Sequence, residues 1–207
     1  MGDRVLASRS PLAGVALPAG QAFSLAEAPA SARFVFRGGE AARAACSAAF
    51  GAELPTRLGG AGEAQARAAL WLGPDEWLLI AEAADPAPLG QQLGAQLAQA
   101  PHSLVDVSHR QIGLIASGPR AARALSAGCP LDLHPTAFPA GMATRTIFDK
   151  AEIVLWRRGE AFHVEVWRSF APWLGQSLIE AARGAPAVQA HVPGSPTDRR
   201  EPSLSRG

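Results

Sequence analysis

The chain has 207 residues, 48% hydrophobic and 18% charged, with a formal net charge of +1. At roughly 100–200 residues per domain this length holds one domain or two small ones, and about 70% of the unfolded surface can be buried without a disulfide or metal staple. There is no tyrosine, and Lys150 is the sole lysine, so tyrosine acid–base chemistry is excluded and a Schiff base could form only at Lys150.

Cys46 and Cys129 match neither a CxxC redox pair nor a zinc-ligand spacing. They read as small buried hydrophobes in a reducing compartment. The balance of 19 basic against 18 acidic residues leaves no basic stripe for nucleic acid. No apolar run approaches the ~20 residues of a transmembrane helix. The N-terminal stretch is interrupted by Pro11, Gly14 and Pro18 and lacks a signal peptide's apolar core. These features predict a cytoplasmic protein.

Residues 1–30 carry Ala, Pro, Gly and Ser without a period and read as a flexible N-terminal segment. A first α+β half is expected over 31–103. It opens with a strand, Arg33–Arg37, and a helix carrying Ala42, Cys46, Ala49 and Phe50 on one face up to the stop signal Gly51. A Gly-rich connector follows. Ala69–Leu72 and Glu76–Ile80 then form a hairpin around Gly73-Pro74-Asp75, and Leu89, Leu93 and Leu97 mark a second helix.

A second half, 104–183, repeats this order. An apolar strand over 111–116 meets a helix entered through Ser117-Gly118-Pro119 and ended by Gly128. After a Pro-rich loop come Thr144–Phe148 and a hairpin of Ile153–Trp156 with Ala161–Trp167. The last helix runs through Leu174, Leu178 and Ile179. In the Ala161–Trp167 strand Phe162, Val164 and Val166 point one way, while His163, Glu165 and Trp167 point the other. One face belongs under the chain's own helix, and the other needs a second layer or a partner. Residues 184–207, with four prolines and no aromatic residue, have the composition of a disordered tail. The fold class is α+β: two similar strand-helix-strand-strand-helix halves with mostly antiparallel sheets.

Candidate chemistry is sparse. The five histidines form no HxxxH or HExxH spacing. Asp106 and His109, in Asp106-Val107-Ser108-His109-Arg110, could form a carboxylate–histidine dyad, or Asp106 and Ser108 could satisfy backbone amides in a turn. Gly59-Gly60-Ala61-Gly62 fits neither a P-loop nor a GxGxxG fingerprint. The five tryptophans cluster on or beside the two hairpins and suit either core or interface.

Several ordered blocks carry a family resemblance. They are Trp71-Leu72-Gly73-Pro74-Asp75-Glu76-Trp77, Leu104-Val105-Asp106-Val107-Ser108-His109-Arg110, Gly128-Cys129-Pro130-Leu131-Asp132, Phe138-Pro139-Ala140-Gly141, Arg145-Thr146 with Ile153–Arg157, and Phe162–Ala171. Over about 31–183 the chain resembles the gamma subunit of heterotetrameric sarcosine oxidase, which is similar in turn to the folate-binding aminomethyltransferase fold. The resemblance implies a non-catalytic subunit docked on the alpha subunit and assembled with beta and delta. That complex oxidises sarcosine to glycine, passes the one-carbon unit to tetrahydrofolate or releases formaldehyde, and yields hydrogen peroxide. FAD, FMN, NAD and zinc are then expected in other subunits, with no cofactor, metal or catalytic residue in this chain. Trp77, Trp167, Arg145, Arg157 and Arg168 are the expected contact residues, since arginine and tryptophan are favoured at interfaces. The alternative is a free-standing folate-binding or folate-dependent protein using Asp106 and His109 beside a pocket between the halves.

Overall fold

A computed structural model describes residues 9–184. Its strands are β1 (Ser24–Glu27), β2 (Ser31–Gly38), β3 (Ala61–Ala64), β4 (Arg67–Gly73), β5 (Glu76–Glu82), β6 (His102–Asp106), β7 (Gln111–Ser117), β8 (Ala143–Phe148), β9 (Ala151–Arg158) and β10 (Ala161–Trp167). The helices are α1 (Glu40–Phe50), α2 (Pro86–Leu97), α3 (Ala121–Ser126) and α4 (Ala171–Gly184). The strands form two five-stranded sheets, ordered β3-β4-β5-β2-β6 and β1-β7-β10-β9-β8. All their pairings are antiparallel, so the expected α+β class holds.

The helices form where the apolar period and the caps coincide. α1 buries Ala42, Cys46 and Phe50 and ends at Gly51, whose φ of 76° is the left-handed conformation that glycine adopts at least cost. α2 starts at Pro86 behind Asp85, which accepts a hydrogen bond from the Ala87 amide, and it buries Leu89, Leu93 and Leu97. These two helices cover the outer face of the first sheet. α3 and α4 cover the outer face of the second, over Phe162, Val164 and Val166. Between the sheets lies a third apolar layer, with Leu70, Leu78 and Ile80 facing Ala143, Val154 and Trp156. The layer order is therefore helix, sheet, sheet, helix. The second covering expected for the His163–Glu165 face is the chain's own other sheet.

The boundaries between the halves differ from expectation in three ways. Residues 24–27, placed in an aperiodic segment, pair as β1 with β7, and Leu12, Phe23 and Leu25 are buried beside it. β6 straddles the expected junction at 103/104 and pairs with β2 in the first sheet. Thus β1, which lies just before the first half, joins the second sheet, and β6, at the start of the second half, joins the first. Third, the Gly-rich connector contains β3. Gly62 is required there because any Cβ would collide with the Glu53 carbonyl. Apart from Gly184, the tail expected over 184–207 lies outside the described residues, as do residues 1–8.

Leu25 is 2% exposed, so Leu25→Ala should lower unfolding stability by about 3 kcal/mol, the range for an enclosed leucine. Urea denaturation measures this directly, and a loosely attached N-terminal arm would give no loss.

Candidate functional site

The main polar cluster lies between the sheets and joins β2 to β10. Arg33 Nε donates to Glu165 Oε2 at 2.7 Å, and His163 Nε2 lies 2.7 Å from Glu165 Oε1. Arg33, His163 and Glu165 are all buried, Glu165 almost completely. Burial pushes the Glu165 carboxyl up, but the hydrogen bond from His163 and the charge of Arg33 outweigh it, and the carboxyl sits below its ordinary value of 4.5. An ionised carboxylate only accepts, so His163 Nε2 carries the proton. Gly113 on β7 makes room for the pair: a Cβ there would lie 2.6 Å from His163 Nε2 and 2.8 Å from Glu165 Oε1.

Arg33 also organises the neighbouring turn. Its backbone amide donates to Ser108 Oγ at 2.9 Å. Asp106 Oδ1 accepts from the Ser108 amide at 2.8 Å and from the Ser108 hydroxyl at 2.5 Å. The Asp106 carboxylate thus closes a turn. No hydrogen bond joins it to His109 among the described residues, so of the two readings of this segment the turn is formed and the alternative dyad is not. His109 instead lines a cleft of about 530 Å³, with Arg33, Gln111, Arg168, Glu27 and the β1–β2 connection.

The five expected contact residues divide. Trp77 is 1% exposed and donates from Nε1 to the Pro55 carbonyl at 2.7 Å; it is core, not surface. Arg157 is also buried, donating to the carbonyls of Leu133 and Phe138 with its guanidinium over the Phe162 ring. It braces the loop before β8. Trp167 is 41% exposed, with Arg110 stacked over its ring. Arg145 bridges the sheets to Glu76 at 2.6 Å while half-exposed, and Arg168 donates to the Arg9 carbonyl. Three of the five therefore reach the surface.

The residues that sequence reasoning passed over are Arg33, His163, Glu165 and Gln111. The signal for two of them was present. His163 and Glu165 occupy the second face of a strand whose first face is wholly apolar, and a doubly covered strand must pair its polar side chains. Burial pushes the Cys46 thiol up to about 12, which keeps it protonated and inert. Among the described residues no group of three or more His, Cys, Asp and Glu side chains comes together to hold a metal. No helix there is long and apolar enough to cross a membrane.

A family model for the sarcosine oxidase gamma subunit matches residues 37–183. The chain belongs to that family. A sarcosine oxidase gamma subunit from Arthrobacter sp. is 42% identical over 150 residues, covering 70% of this chain and 73% of the relative. One from Corynebacterium sp. (strain P-1) is 41% identical over 140 residues, covering 67% and 68%. Among solved structures, a chain of heterotetrameric sarcosine oxidase from Corynebacterium sp. U-96, in complex with pyrrole 2-carboxylate, superposes with a TM-score of 0.77 at 33% identity, covering 85% of this chain and 95% of that one. The glycine cleavage system aminomethyltransferase T of Bartonella henselae shares the fold, with a TM-score of 0.59 at 15% identity, over 78% of this chain and 49% of that one. This chain thus shares the aminomethyltransferase fold.

Glu165→Gln leaves the Arg33 guanidinium buried without its counter-charge, and should cost about 3–5 kcal/mol. A carboxyl held below its unfolded value stabilises the fold fully above about pH 4.5, and loses that contribution as pH falls through its lower folded value. The gap in stability between wild type and Glu165→Gln should therefore close on acidification, as followed by denaturant melts across pH 3–7.

Proposed function

We propose that this chain is the gamma subunit of a heterotetrameric sarcosine oxidase, docked on the alpha subunit and assembled with beta and delta. The complex oxidises sarcosine to glycine, delivers the one-carbon unit to tetrahydrofolate or releases formaldehyde, and yields hydrogen peroxide. The observation that carries this reading is the near-complete overlap, 95% of the solved chain, with a subunit of a heterotetrameric sarcosine oxidase.

The role within the complex is structural. Two of the groups that could act as acids or bases are engaged internally: Glu165 by Arg33 and His163, Asp106 by Ser108. A fold does not carry a function without its site. On this reading FAD, FMN, NAD and zinc belong to the other subunits of the complex. Two free, buried cysteines support a reducing, cytoplasmic setting.

Trp167, Arg145 and Arg168 are the contact residues we assign toward the alpha subunit. A partly exposed indole with an arginine on its face suits an interface anchor. Co-expression of four tagged subunits tests the whole reading. Wild type should co-purify with the other three, while Trp167→Asp should reduce the recovered complex about tenfold or more, a loss of at least ~1.4 kcal/mol, with the chain's own thermal midpoint unchanged. A wild-type chain that never co-purifies would overturn the assignment.

A further inference from the structure

The cleft beside the β1–β2 connection has a volume of about 530 Å³, and its carboxylates and arginines are already engaged within the chain. Glu27 accepts from the Ser10 hydroxyl. Asp85 caps α2 by accepting from the Ala87 amide. Arg33 donates to Glu165 and to the Ser31 carbonyl, and Arg168 donates to the Arg9 carbonyl. A small charged ligand would have to compete with each of these bonds.

Gln111 is the exception. It is only 8% exposed, its side chain makes no hydrogen bond among the described residues, and Oε1 is enclosed without a partner. Buried polar side chains are in the large majority paired, so this carboxamide calls for a partner from outside the fold. It carries a donor and an acceptor side by side, the same pattern as a peptide group, and can pair with one without bringing a charge into the cleft. A half-turn of its terminal torsion exchanges oxygen and nitrogen, so it can meet a peptide carbonyl or a peptide amide. The wall beside it is made of small side chains: Ala28, Pro29, Ala30, Ala83, Ala84 and Pro86. An extended peptide takes its affinity from main-chain hydrogen bonds, and a wall of this kind lets a second backbone come close enough to make them.

The cleft is also continuous with the contact surface assigned above. Gln111 lies directly opposite Trp167 in the β7–β10 register, Arg110 stacks on that indole, and Arg168, the next residue, lines the cleft. A partner seated on Trp167 and Arg168 is therefore already at its mouth.

We propose that the cleft receives an extended, uncharged segment of the alpha subunit, one of whose peptide groups is hydrogen-bonded to the Gln111 carboxamide. This rests on the subunit assignment and deepens it: Trp167 anchors the rim of the interface and Gln111 its interior.

Thiol labelling tests it. Ala30 is exposed on the cleft wall, while Cys46 and Cys129 are buried, so in Ala30→Cys a maleimide reads the introduced thiol, followed by the mass of this chain. The isolated variant should label fully, and the same variant in the four-subunit complex should lose that labelling. Gln111→Leu fills the same space without polar atoms and leaves the partner's peptide group unpaired. It should weaken assembly about tenfold with the thermal midpoint of the isolated chain equal or higher, and it serves as the independent measurement if Ala30→Cys does not assemble. Full labelling of Ala30→Cys inside a complete complex overturns the proposal and leaves the subunit assignment standing. Assembly undiminished by Gln111→Leu does the same. Labelling already blocked in the isolated chain would put a second copy of this chain in the cleft and overturns it too, whereas a wild-type chain that never assembles overturns both readings.

Discussion

The two sheets hold each other's edges. β1 leaves the first half to pair with β7, and β6 precedes β7 in sequence yet pairs with β2. Neither sheet is complete until both halves are present, and everything between them is positioned by that exchange. The short connections from β1 to β2 and from β6 to β7 cross from one sheet to the other. They bring Ala28 to Ser31, and Ser108, His109 and Gln111, around the same cleft.

The exchange also explains why a charge cluster can exist in so apolar an interior. Once the inner faces are pressed together, the polar side chains Arg33 on β2 and His163 and Glu165 on β10 keep almost no contact with water. An isolated buried charge would be prohibitive. Arg33, Glu165 and His163 solve this by mutual hydrogen bonding, and Gly113 leaves the space that lets them meet. Replacing such a cluster with hydrophobic residues can be neutral or even stabilising, so its contribution lies in fixing the alignment of one sheet on the other. Around it, Arg145 with Glu76 and Arg158 with Glu63 and Glu82 add surface pairs between the same sheets.

What was legible in the sequence was local. The spacing of Ala42, Cys46 and Phe50, and of Leu89, Leu93 and Leu97, is enough to orient α1 and α2, and Gly73-Pro74-Asp75 marks the β4–β5 turn. The family resemblance was legible because several blocks recur in order, and its span of about 31–183 agrees closely with the matched residues 37–183. Long-range pairing was not legible. Nothing in Ser24–Glu27 announces that its partner is Gln111–Ser117, and the glycines of 59–62 look like a linker until Glu53 is seen against Gly62. Residue type alone points Trp77 and Arg157 toward the surface, whereas carbonyls in distant loops hold both inside. Of the two readings open for Asp106, the turn with Ser108 is the one that forms, because Ser108, two residues away, reaches the carboxylate before His109 can.

The crossed edges have a consequence for the order in which the molecule is made. During synthesis β1 emerges some ninety residues ahead of β7, its sole partner in the sheet. Until the second half leaves the ribosome, the nascent first half therefore carries one strand without a mate and one sheet with an open border at β2. Both are adhesive features in a growing chain. A molecule wired this way cannot mature half by half; its final seal is made only when the second sheet closes over the first strand of the chain.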